Sequence, residues 1–170
     1  MSPLKDSIIN LILERIAQNY EEQIPYYEEM YRIAREQQAL LQQAEIDTDL
    51  LLGLINQRQE LIENLEGRNR EISLIRDEVC QALEIKEFNI TNIQNRVNGP
   101  GTHALTTVLA ELSTVLTKIK ELDKKNEELL REGITKVKDK LRQMQDAKKA
   151  TKAYQPAAPL RDGVFIDYNR

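Results

Sequence analysis

Apolar positions recur at steps of three and four along most of this chain, and the pattern divides it into long helical stretches. Ile9, Ile12, Ile16, Tyr20, Ile24, Tyr27, Tyr31, Ala34 and Leu41 form a first stripe. That spacing puts side chains on one face of a helix with 3.6 residues per turn, and it predicts a helix over about 3–44. Ser2 followed by Pro3 gives it a start, because the hydroxyl accepts from an orphan backbone N–H and proline at the first helical position loses a donor that had no partner. Pro25 lies inside the stripe. Its ring removes the hydrogen bond to residue 21 and crowds that carbonyl, yet the spacing continues in phase through Tyr27 and Tyr31, which predicts a bend and not an end. Tyr20, Tyr26, Tyr27 and Tyr31 are expected to pack against a neighbouring helix with their hydroxyls at the boundary; a binding patch around the kink is the alternative.

The stretch "EIDTDL" supplies a turn, with Asp47 or Thr48 as N-cap and Asp49 in the first turn, where the helix dipole favours an acid. A second helix over about 48–83 carries Leu51, Leu54, Leu61, Leu65, Ile72, Ile75 and Val79, with Arg58 and Arg68 at stripe positions. Those arginines are expected to snorkel at an open seam. Between 84 and 102 the pattern lapses, and a turn or two of helix near Ile90 to Val97 is followed by a loop at "NGPG". "NGPGT" lacks the rest of a phosphate-binding P-loop, so it reads as a turn with Thr102 as N-cap. A third helix over about 103–149 holds Leu105, Val108, Leu112, Val115, Ile119, Leu122, Asn126 and Leu129, shifts phase near Gly133, and resumes with Ile134, Val137, Leu141 and Met144. Asn126 in that seam is expected to fix register at some cost in stability.

These elements predict an all-α fold: an elongated antiparallel bundle of three long helices over residues 1–149, with a short helical linker and an extended tail over 150–170. At 1.5 Å of rise per residue the helices span roughly 60, 55 and 70 Å, so the third outruns its partners. Its last turns then present Ile134, Val137, Leu141 and Met144 as an uncovered apolar stripe, for which an amphipathic helix of another protein is the natural complement. The tail "AYQPAAPLRDGVFIDYNR" cannot continue as helix past Pro156 and Pro159, and it offers Leu160, Val164, Phe165, Ile166 and Tyr168 to cover that stripe or to grip a client.

Composition sharpens this picture. The chain has 31% charged residues, 5% aromatic residues and no Trp, which favours long helices over a thick mixed core. A formal charge of −4 disfavours nucleic acid as a partner and points to proteins. Cys80 is the single cysteine and forms no internal disulfide, while Asp6, Glu14 and Arg15 interrupt the first apolar run before a signal peptide or membrane span develops. A cytoplasmic protein without stable membrane insertion is expected. His103 is the single histidine and falls in the expected loop. No Glu-x-x-His pair, Cys-x-x-Cys pair or nucleophile elbow is present, so neither an enzyme nor a cofactor or metal site is expected. The late basic residues Lys136, Lys138, Lys140, Arg142, Lys148, Lys149 and Lys152 complement the helix dipole; a patch for acidic lipid or an acidic partner is the alternative.

"DTDLLLGLINQRQELIENLEGRNREI" resembles the central helix of the FlgN-type flagellar export chaperones, and the ending "AYQPAAPLRDGVFIDYNR" resembles that family's tail. The resemblance covers the length of the chain. It implies a cytoplasmic, ATP-independent chaperone that holds hook-associated proteins one and three, the proteins of the hook–filament junction, before their export through the flagellar type III machinery. On that basis Ile134, Val137, Leu141 and Met144 form the client groove, Leu160, Val164, Phe165, Ile166 and Tyr168 clasp the client, and Tyr154 meets a component of the export gate. A structural coiled-coil scaffold or homodimeric adaptor is the alternative, which leaves self-association open.

Overall fold

The structure, a computed structural model, describes residues 2–154. Its elements are α1 (Pro3–Leu41), α2 (Thr48–Leu83), the short α3 (Ile90–Gln94) and α4 (Pro100–Tyr154), so the described residues form an all-α bundle. The chain divides into two compact units within α4, the first ending at Leu129 and the second beginning at Leu130.

Local chemistry accounts for where most of the helices start. Ser2 accepts from the Lys5 N–H at 3.3 Å, with Pro3 at the first helical position. Asp47 accepts from Leu50 at 3.1 Å, and Asn89 accepts from Asn92 at 2.8 Å. Each satisfies an N–H that the first helical turn leaves without a partner. Pro25 sits inside α1 without ending it. α1 stops at Leu41 and not near 44: Gln42 donates to Gln38 and Gln43 to Leu40, which tightens the last turn and closes it.

Within residues 1–129 the three long helices run up, down and up. Tyr20 meets Arg76 and Met30 packs with Leu65, so α2 is antiparallel to α1. Asn10 meets Gly101 and Asn126 meets Ala34, so α4 runs in the direction of α1. The main core joins Leu13, Ile16, Ile72, Val79, Leu83 and Leu105, and α3 closes it with the fully buried Ile93. A smaller cluster gathers Met30, Leu65 and Ile119. Each such side chain contributes about 1.5–3 kcal/mol relative to exposure.

Further expectations are corrected. The face that α1 buries is centred on Ile9, Leu13, Ile16, Ile33 and Leu41 and includes Asn10, Gln23 and Gln37, whereas Ile12, Tyr20, Ile24, Tyr27 and Tyr31 lie half-buried at its flank. A helix that packs against two others buries a wide face, and the polar residues within it interrupt the hydrophobic rhythm. The two stripe arginines do not merely snorkel. Arg58 donates twice to Asp123, at 2.5 Å each, and Arg68 donates to Glu22 at 3.3 Å while stacking 5.2 Å from the Tyr26 ring centre. Finally, α4 starts at Pro100 and not at 103, so His103 lies on the helix and not in a loop.

The start of α4 is capped from another helix. The Gly99 carbonyl accepts the first helical bond from His103 at 3.1 Å, and Pro100 occupies the first helical position. Asn10, on α1, accepts from the Gly101 N–H at 3.0 Å and donates to the Asp6 carbonyl at 3.0 Å. Thr102, expected as the cap, instead donates its hydroxyl to the Val97 carbonyl at 3.1 Å. The approach of α1 is close: a Cβ on Gly101 would lie 2.2 Å from the Asn10 carbonyl oxygen. "NGPG" is thus the place where two helices touch backbone to backbone, not a phosphate cradle.

Candidate partner-binding site

The second unit begins at Leu130, and its described part is the α4 stretch 130–154. Lys, Arg, Gln, Leu and Ala dominate its sequence and no proline interrupts it, so local propensity favours helix throughout. Ile134 is 48% exposed, Val137 59%, Leu141 54% and Met144 57%. They step by three, four and three residues and share one helical face. Leu130, 41% exposed, extends that face by a turn. The sequence reading missed it, having assigned Leu129 to the stripe, but the step of four from Leu130 to Ile134 was available to find it. The backbone of Tyr154 ends α4, and Leu160, Val164, Phe165, Ile166 and Tyr168 lie outside the described residues.

Other surfaces of the first unit carry different chemistry. An open cleft of about 590 Å³ between α1, α2 and α4 is lined by residues including Tyr20, Tyr27, Arg76, Leu109, Leu116 and Lys120. Arg76 donates to the Tyr20 hydroxyl at 3.4 Å and lies 4.9 Å from the Phe88 ring centre. Burial pushes the Tyr20 phenol above its ordinary value, against the opposing charge of Arg76. Burial, with help from the Asp77 charge, likewise pushes the Cys80 thiol up, which disfavours the thiolate that a nucleophile requires. Among the described residues no group of three or more His, Cys, Asp or Glu is placed to hold a metal ion. Nor is any described helix long and apolar enough to cross a membrane.

The described residues define a class by architecture, the all-α bundle with an open apolar face on one helix. Comparison with known families narrows that class. The model of the family described as FlgN protein matches residues 12–161, and the chain belongs to the FlgN family. No curated protein and no solved structure matches it. The family is one of flagellar export chaperones, not known as enzymes, that bind hook-associated clients, and membership implies an export-chaperone role here.

Proposed function

We propose that this protein is a cytoplasmic, ATP-independent chaperone that holds the terminal amphipathic helices of hook-associated proteins one and three. It prevents their premature assembly and delivers them to the flagellar type III export apparatus. The observation that carries this reading is the exposure of Ile134, Val137, Leu141 and Met144 on one helical face in a chain of the FlgN family. Each of these side chains gains roughly 1.5–3 kcal/mol when covered, and an amphipathic client helix covers several together. Holding and release require no nucleotide: a client that binds more tightly when unassembled is retained until the export gate competes for it. Leu160, Val164, Phe165, Ile166 and Tyr168 clasp the client in this reading, and Tyr154 meets the gate.

Co-expression with the hook-associated proteins tests both parts. Val137→Asp/Leu141→Asp is expected to weaken capture of the client by at least about a hundredfold, the minimum for losing two buried apolar contacts. Leu11→Asp, at an exposed position of α1, is expected to leave capture unchanged. A chain ending at Ala150 separates ledge from clasp: if it captures client as well as the intact chain does, the tail has no gripping role.

A further inference from the structure

The face that begins at Leu130 carries a charge pattern that specifies its partner. The inference rests on the reading of that face as the client-binding ledge, and it names the chemistry of the helix that fits there. From Leu130 the apolar residues step by four, three, four and three through Ile134, Val137, Leu141 and Met144. This is the a/d seam of a coiled coil, with Ile134 and Leu141 at a and the other three at d. The bordering e and g positions are Arg131, Gly133, Lys138, Lys140, Gln145 and Ala147, and none is acidic. Glu132, Asp139 and Asp146 recur every seven residues at f, on the side of the helix away from the seam. Lys138 and Lys140 are exposed. The pattern is local: residues 130–153 hold eight Lys and Arg against three Asp and Glu, whereas residues 1–129 hold fourteen against twenty-three.

Three occupants compete for such a face. A second copy of the chain would meet Lys138 and Lys140 with its own e and g positions, which hold no carboxylate in either orientation. An anionic lipid surface takes up a helix through Trp, Phe and Leu on its apolar face; the face here has no aromatic residue, and its strict a/d spacing is the narrow seam that fits between helices. A helix with carboxylates along its borders satisfies both the seam and the lysines. We propose that the 130–144 face of α4 recognises an amphipathic partner helix whose apolar stripe is bordered by Asp and Glu, and that Lys138 and Lys140 select it by charge.

Two synthetic peptides of about four heptads test this, both with Leu at a and d, one with Glu and the other with Lys at every e and g. Fluorescence anisotropy measures their binding to the full chain and to its Lys138→Glu/Lys140→Glu variant. The full chain is expected to prefer the acidic peptide about tenfold at low salt, from several weak ion pairs acting together. Added salt narrows the preference, and the variant inverts it. Equal binding of the two peptides, or a variant that keeps the original preference, overturns the proposal. So does a full chain that ignores both peptides and sediments with phosphatidylserine vesicles, or one that is already a dimer broken by Leu141→Asp. Capture of hook-associated protein separates this inference from the reading beneath it. If Leu141→Asp abolishes capture and the lysine reversal leaves it unchanged, the charge rule fails and the ledge stands; if capture is indifferent to Leu141→Asp, the ledge itself fails.

Discussion

Asn10, Gln23, Gln37, Thr102 and Asn126 are the buried polar residues among those described. Asn10 joins α1 to the start of α4 through three backbone groups, donating to Asp6 and Asn98 and accepting from Gly101. Asn126 donates to the Ala34 carbonyl at 2.8 Å, which sets α4 against α1. A slip of either helix leaves that buried amide without its partner, so the bond selects register more than it adds stability. None of the α1 glutamines and asparagines was legible as core from the sequence, since a polar residue on a helix reads as solvated until its neighbours are known. The glycines give a direct test. Gly101→Ala drives a methyl into the α1 backbone and is expected to lower unfolding free energy by about 1–3 kcal/mol or more. Gly67→Ala meets nothing within 4 Å and is expected to raise it by up to about 1 kcal/mol. Urea titration distinguishes the two. Tyr20 supplies a pH dependence. Its pKa is raised in the folded protein, so its contribution is fully present below the unfolded tyrosine value near 10 and is lost as pH rises through the folded value. The urea midpoint is expected to fall as pH rises above the ordinary tyrosine value of about 10, and Tyr20→Phe is expected to shrink that fall.

Element by element, helix existence followed from periodicity, and the α1 and α2 caps followed from Ser2 and Asp47. The ends and faces were less accessible. α4 starts at Pro100 because a side chain from α1 reaches over to satisfy its Gly101 N–H, a partner far away in sequence that no local signal announces. Arg58 looked like a snorkelling residue for the same reason: its Asp123 partner sits on another helix. Both groups of that pair keep some exposure, so it contributes under about 1 kcal/mol and acts mainly to align α2 with α4. α4 itself is two kinds of helix in one. Leu105, Val108, Leu112, Ile119 and Leu122 are buried, whereas every residue described from 134 to 153 is exposed. Tertiary packing is what stabilises most helices in water. Hydrogen exchange is therefore expected to show strong protection for amides 105–126 and protection at least about a hundredfold weaker for 134–153, because local opening there breaks few buried contacts. Equal protection along α4 would mean that the second half has a cover.

For the whole molecule, the residues that form both core clusters lie before Leu129. Removing residues 130–170 is therefore expected to leave the unfolding free energy of the bundle, from urea titration, within about 0.5 kcal/mol of the intact chain while abolishing capture of hook-associated protein. That result would assign bundle stability and client capture to different stretches of α4. The sequence by itself determined the helical class, two of the three long-helix starts and the apolar rhythm from Ile134 to Met144, because hydrophobic period and capping chemistry are local. Only the tertiary structure decided which face of α1 is buried and that Asn10 and Gly101 join α1 to α4. Burial depends on which neighbours arrive, and an apolar side chain has the same preference for cover whether or not the fold provides it.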